Sequence, residues 1–335
     1  MRLNTAYSAF LALLLTLVLT GCRREPLSDS GDVLRFTVNS DEVSSALTKA
    51  DPTPPDVPLA SSPGDVLRIE GNKIPVWGSS SAGAVFDTPF IELNCEGNGG
   101  SANWDYSGDR YYWNPSASYQ FRSVFTGGRN TYSGDATKVT VSYTGYPNDY
   151  DLMVAAVAVP SGAGQEARLT FSHACSAVRF FCVDPSRGDK LTPNYTITSF
   201  MLKGVSISGS LDFDAVSTSA SATVSGWNTD LPGGIVYSST EEWGVPDNHV
   251  TDEEADLTRW LYFVPQTLGE QAVVEFTYRV ESTGQLLNVT RKLNYAVSTW
   301  APGRTYAFYI TIQPTAIGFN LDWAPWVTTE PQDLI

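Results

Sequence analysis

Charge is scarce in this chain of 335 residues: 17% are Asp, Glu, Lys or Arg, and bases are outnumbered, 21 against 36. The resulting net charge of −15 repels polyanions, which excludes nucleic acid and anionic lipid surfaces as expected partners. Histidine occurs twice, at His173 and His249. Neither stands at zinc-ligand spacing from cysteines or carboxylates, so no metal centre is expected. His173 lies among apolar residues, where a core histidine bonded to backbone is expected. His249 lies in an acidic stretch with Asp247, Asp252, Glu253, Glu254 and Asp256 that lacks the ligand spacing of a calcium loop. The cysteines are Cys22, Cys95, Cys175 and Cys182. The three beyond Cys22 are too few for a complete disulfide framework. Cys175 and Cys182 would fall on opposite faces of one unbroken strand, although a bulge could join them; free buried thiols are the expectation.

Two further absences narrow the class. No apolar run after Cys22 approaches the ~18 residues of a membrane-spanning helix. No stretch after residue 50 keeps a period of 3.6 over a dozen residues, which argues against a helical body. Catalytic signatures are missing as well: no G-x-S-x-G elbow, H-E-x-x-H pair, P-loop or dinucleotide fingerprint occurs. The sequence therefore points away from an enzyme and implies no cofactor.

What the chain does have is Val, Thr, Ser, Tyr, Gly and Pro throughout, with 12% aromatics, a composition of strands cut by turns. It opens with Arg2 and an apolar run from Phe10 to Leu19, the form of an export leader over residues 1–21. Residues 22–63 read as a tether, a first strand with Leu34, Phe36 and Val38 on one face, and a connector with five prolines between Asp51 and Pro63. A helical turn is expected over 40–50. Short strands are expected at Leu67–Ile69, Ile74–Trp77, Val85–Leu93, Tyr119–Phe125 and Val139–Tyr143. Residues after Asp151 are apolar without alternation to Val159, the pattern of a strand covered on both faces. Pro160 to Gly164 is the expected boundary between an N-terminal β-sandwich (64–163 with strand 32–39) and a C-terminal one (164–335). In the second half Ala272 to Val280 and Leu287 to Tyr295 alternate about Ser282-Thr283-Gly284, an antiparallel hairpin with one wet face. Tyr306 to Ile312 makes another strand. The fold class expected is all-β, two antiparallel sandwiches in tandem.

One cluster suggests recognition. Trp104 and Tyr106, then Tyr111, Tyr112 and Trp113, crowd around Gly108 with Asp105 and Arg110 interleaved. Such rings either stack on sugars, anchor a protein interface, or cover the end of a sandwich.

Several phrases of the sequence resemble known ones. Leu19-Thr20-Gly21-Cys22 resembles the bacterial lipobox, which implies diacylglycerol on the Cys22 thiol and a body tethered outside the cytoplasm by lipid. Phe171-Ser172-His173 through Phe180, the Pro302-Gly303-Arg304-Thr305-Tyr306 phrase with its following strand, Ile317-Gly318-Phe319 before Trp323 and Trp326, and Asp151-Leu152-Met153-Val154-Ala155 resemble, in that order of use, the fimbrillin-like surface proteins of Bacteroidetes. The resemblance implies two transthyretin-like sandwiches and a stalk, tip, accessory or anchor subunit of a type V pilus, at the outer membrane or in the fimbrium. It implies other pilus subunits as partners, joined by β-strand addition after a protease removes the first strand, with a host protein or glycan as an adhesion ligand. The cut would fall between Lys49 and Ala50, with Leu34 to Val38 on the removed strand. The family's usual residue before the cut is arginine, and a protease that reads the guanidinium fork would pass over Lys49 and leave the strand in place. The alternative weighed is a surface glycan-binding lipoprotein of a polysaccharide-uptake system, which shares the leader and the aromatic richness.

Overall fold

The computed structural model describes residues 32–40, 70–98, 103–127, 131–135, 137–145, 151–162, 166–183, 195–213, 227–245, 257–312 and 317–325. Along the first half run β1 (Arg35–Ser40), β2 (Lys73–Ser80), β3 (Gly83–Ala84), β4 (Ile91–Glu96), β5 (Asn103–Tyr106), β6 (Tyr119–Phe125), β7 (Thr131–Gly134), β8 (Val139–Thr144), β9 (Met153–Val159) and β10 (Glu166–His173). The second half holds β11 (Ser176–Val183), β12 (Tyr195–Lys203), β13 (Ser208–Phe213), β14 (Trp227–Thr229), β15 (Ile235–Ser239), β16 (Trp243–Gly244), β17 (Leu261–Phe263), β18 (Gln266–Thr267), β19 (Val273–Val280), β20 (Gln285–Lys292), β21 (Thr299–Trp300), β22 (Arg304–Ile312) and β23 (Ile317–Pro325). A single 3-10 turn, Leu293–Tyr295, interrupts the strands among the described residues. The body is all-β, as the alternation predicts.

The first sheet has the order β1-β10-β9-β6-β2-β4-β5, with β3 beside β2. It curls until its two ends meet: β1 packs against β5, and the sheet encloses a core of Leu34, Phe36, Ile74, Val76, Leu93, Phe121, Ala155, Leu169 and their neighbours. Its outer face carries a second core. There Trp77, Val124, Leu152 and Val154 pack against Val139, Val141 and Tyr143 of β8 and Leu211 of β13. This accounts for the unbroken apolar run of β9. Met153 and Ala155 face the enclosed core, while Val154 and Ala156 face the outer one, so neither side of the strand is wet.

The sheet that covers this outer face is β14-β13-β8-β7. Two of its strands come from before residue 160 and two from after residue 207, and β8 pairs with β13 from Val139↔Phe213 to Thr144↔Ser208. The expected boundary at 163/164 falls between β9 and β10, which are hydrogen-bonded neighbours in the first sheet. The remaining core lies between the sheets β17-β11-β22-β23 and β15-β12-β19-β20, around Phe180, Phe200, Phe263, Phe276, Trp300 and Phe308.

The expected hairpin is β19-β20, in register from Val273↔Lys292 to Val280↔Gln285, but its second strand ends at Lys292 and the expected continuation to Tyr295 is the 3-10 turn. Its inward row of Val274, Phe276 and Tyr278 is buried. The strand expected over Val85–Leu93 begins only at Ile91. Pro89 has no N–H to give a ladder, and the Thr88 hydroxyl donates to the Phe90 oxygen at 2.7 Å, which holds that stretch in a turn. Cys95, Cys175 and Cys182 are free and buried. Cys175 belongs to the outer core of the first sheet and Cys182 to the core of the second half, which keeps the two thiols apart. The segments expected at 40–50 as a helical turn and at Leu67–Ile69 as a strand lie outside the described residues, apart from Ser40, which ends β1.

Candidate functional site

β1 is the strand whose position the rest of the first half is arranged to hold. Its alternation is plain in burial: Leu34, Phe36 and Val38 are buried at 1%, 6% and 5% exposure, while Arg35 is exposed. On one side β1 runs parallel to β10, in register from Arg35↔Glu166 to Ser40↔Phe171. On the other, Val33 and Tyr112 form an antiparallel bridge, Leu34 N–H donates to the Tyr111 oxygen at 2.8 Å, and Trp113 N–H donates to the Asp32 oxygen at 2.9 Å. The first strand therefore sits in a slot with one parallel wall and one antiparallel wall. Every other strand on the path from β10 to β5 has an antiparallel partner.

The aromatic cluster singled out from the sequence builds the antiparallel wall. Trp104 and Tyr106 are on β5 and buried, at 7% and 4%. Tyr106 reaches across to donate its hydroxyl to the Leu34 oxygen at 3.1 Å and accepts the Tyr111 N–H at 3.3 Å. Its ring meets Phe36 edge-on, with centroids 6.3 Å apart, and Phe36 in turn meets Phe121 at 5.2 Å. Tyr111 packs edge-on to Phe86 at 5.1 Å, and Trp113 edge-on to Tyr119 at 4.7 Å. Tyr112 is the ring of the five that faces out, with 37% exposed. Gly108 supports the loop that carries these residues, with φ at +96°, where a side chain would strain the backbone.

Charge braces the wall from outside. Arg110 grips Asp105 with two hydrogen bonds, 2.6 and 2.9 Å, and lays its guanidinium over the Tyr106 ring at 5.2 Å. The Arg110 hydrogen bond holds the Asp105 carboxyl below its ordinary value, with smaller help from the nearby charges of Arg110 and Arg35. Burial pushes the Tyr106 phenol up, so it stays a donor at neutral pH.

The other sequence-level candidates are distributed differently. Cys22, Lys49 and Ala50 lie outside the described residues. His173 closes β10, and its Nδ1 is bound to the carboxylate of Asp151, a side chain 22 residues upstream. Strand β9 lies beside β10 and starts two residues after Asp151, so the loop before it delivers the carboxylate to the histidine. Among the described residues no group of His, Cys, Asp and Glu is placed to hold a metal. What sequence reading missed is β10 as the parallel wall. Its alternation was legible, but nothing local in Glu166 to Phe171 announces a partner some 130 residues upstream in sequence order.

The comparisons agree with this architecture. A family described as fimbrillin-like matches residues 68–326. A fimbrial protein from Bacteroides vulgatus shares the fold, with a TM-score of 0.54 and 14% identity, over 88% of this chain and 99% of that one. A protein from Bacteroides uniformis assigned to cell adhesion also shares it, with a TM-score of 0.51 and 15% identity, over 89% of this chain and 99% of that one. A search of curated proteins gives no match. The chain belongs to the fimbrillin-like family, whose members are structural proteins and not enzymes.

Proposed function

We propose that this chain is a subunit of a type V pilus, a cell-surface lipoprotein tethered at Cys22 that joins other subunits by exchanging β1 for a strand of a neighbour. The observation that carries this reading is the way β1 is held. Its backbone contacts end at one parallel ladder and a short antiparallel bridge, and residues 41–72 separate it in sequence from β2. Removing it would uncover the hydrogen-bonding edge of β10 and three apolar sockets. Each buried side chain contributes about 1.5–3 kcal/mol, so an empty slot would attract another alternating strand. The fimbrial and cell-adhesion relatives support a surface or fimbrial location for the exchange.

Cleavage at Lys49–Ala50 would free β1 together with its tether. If Lys49 escapes cleavage, β1 and the Cys22 lipid stay with the body and the subunit serves as an anchor. The aromatic cluster serves this function as the slot's wall. With Trp104 and Tyr106 buried, the rings that a sugar would stack on are turned inward. Trypsin treatment of the soluble body, followed by mass analysis and sizing, tests the proposal. Loss of the segment ending at Lys49 with growth of oligomers supports it. A cleaved chain that neither loses that segment nor associates overturns it.

A further inference from the structure

The sequence carries a second version of the first strand. Gly31-Asp32-Val33-Leu34-Arg35-Phe36-Thr37-Val38-Asn39 recurs as Gly64-Asp65-Val66-Leu67-Arg68-Ile69-Glu70-Gly71-Asn72, identical at six of nine positions. The conserved part covers the first two socket residues and the basic residue between them. Position 69 remains large and apolar. The repeat is therefore compatible with the slot at Val33 to Phe36, where β1 makes its antiparallel bridge and its first ladder contacts.

The differences are informative too. The outward row of β10 reads Glu166, Arg168, both exposed, and in the parallel register these face Arg35 and Thr37. Arg35 complements Glu166. Thr37 gives Arg168 no opposite charge, and its buried hydroxyl has no hydrogen-bond partner. In the repeat, Arg68 would again face Glu166, while Glu70 would face Arg168. The second version thus matches both charges of the wall where β1 matches one, at the expense of Gly71 leaving the Val38 socket unfilled.

We infer that, after β1 leaves, the slot takes the Gly64–Asn72 segment of a second copy of this chain, running parallel to β10. The inference rests on the strand-exchange reading above and names the strand that enters. The chain's own repeat cannot serve. Gly71 N–H donates to the Cys95 oxygen at 3.0 Å and Cys95 N–H to the Asn72 oxygen at 2.8 Å, which ties this end of the repeat to β4. From β2, β4 and β5 stand before the slot, three sheet spacings of about 4.8 Å each. The three steps from Glu70 to Lys73 span about 10 Å when fully extended, short of that distance. In a second copy the same two bonds to Cys95 must open and Gly71, at φ +89°, must extend, but no limit of reach within one chain applies.

The test uses the full soluble chain with a specific protease site placed within residues 51–60. It is cleaved so that both pieces remain present, and then challenged with fluorescent peptides of sequence 30–39 and 63–72. Both peptides are expected to enter the slot, the second about ten- to a hundredfold more weakly because Gly71 forgoes a buried valine. Arg68→Glu in the second peptide is expected to weaken it further, about fivefold, and Glu166→Arg in the body to restore it. Once its β1 piece has been washed away, the cleaved chain alone is expected to form oligomers that Leu67→Asp with Ile69→Asp abolishes. Entry of the 30–39 peptide without the 63–72 peptide overturns this inference and leaves strand exchange standing, as does a cleaved chain that stays monomeric while both peptides enter. Entry by neither peptide overturns both. An Arg68→Glu peptide that binds equally well, or is not rescued by Glu166→Arg, removes the charge matching on which the assignment depends.

Discussion

The hydroxyl of Tyr106 donates to the backbone oxygen of Leu34 at 3.1 Å, across 72 residues of sequence, and the same oxygen atom of Tyr106 accepts the N–H of Tyr111. One side chain thereby ties the first strand to the loop that walls it in. Tyr106→Phe keeps the ring contact with Phe36 but leaves the Tyr111 N–H and the Leu34 oxygen without this partner. The expected loss is about 1–3 kcal/mol of stability, read by urea denaturation, and a faster release of β1. Burial raises the Tyr106 phenol above its ordinary value of 10.0. The neutral phenol is thus favoured in the folded state, and its contribution is full below pH 10 and declines as pH rises through the raised value. The variant should lack that alkaline decline.

The Arg110–Asp105 pair gives the opposite dependence. Asp105 is held below its ordinary 3.8 by Arg110, so the folded state favours the charged carboxylate. Its contribution is full above about pH 4 and is lost as pH falls through the lowered value. Both side chains are more than two-fifths exposed, at 46% for Arg110 and 43% for Asp105, so solvent screening holds the effect to less than about 1 kcal/mol. Denaturation midpoints between pH 5 and pH 2 for the native chain and Asp105→Asn should converge at the acid end.

Asp151 and His173 lie at the junction of β9 and β10, with side chains 15% and 9% exposed. Removing one member of so enclosed a pair leaves the other poorly solvated. Asp151→Ala should therefore cost about 1–3 kcal/mol, and Asp151→Asn, which keeps a hydrogen-bonding oxygen, markedly less. Thermal unfolding of the two variants side by side measures the difference. Equal losses would show that the carboxylate charge, and not the hydrogen bond, is what His173 requires.

Cys95, Cys175 and Cys182 should be unreactive toward a thiol reagent in the native state and react together on unfolding. Each is 2% exposed or less, and burial pushes the Cys175 thiol well above its ordinary 9.0, away from the reactive thiolate. Reaction of Cys175 or Cys182 at a rate independent of denaturant would contradict the separate cores in which they are placed.

Much of this architecture was legible because alternation is a local signal. Tyr119–Phe125, Val139 to Tyr143 and the Val273–Val280 hairpin stand where their side-chain patterns put them. The run after Asp151 likewise announced a strand buried on two faces. The pairings were not legible, because period-two patterns say which face is buried and nothing of the neighbour. Thus β8 and β13, separated by a stretch of some 60 residues, share a sheet that no local pattern predicts. Residues 85–90 look like strand by composition, yet Pro89 and the Thr88 turn override that tendency. The aromatic cluster was visible as a cluster, but whether Trp104 and Tyr106 faced solvent or the inside of a curled sheet depended on β1 closing over them. The partner of His173 was hidden for the same reason: Asp151 reaches it only once β9 and β10 lie side by side.

The central claim is that β1 is a replaceable strand in a preformed slot. Hydrogen exchange on the full soluble chain, before and after a single cut between β1 and β2, tests it most directly. The account predicts that the cut, once β1 has been washed away, removes protection from the β10 amides of Ala167, Leu169 and Phe171, while β19 and β20 keep theirs, and that adding a peptide of the β1 sequence restores it. Protection of β10 that is unchanged by the cut and wash, or lost together with that of the whole body, would contradict it.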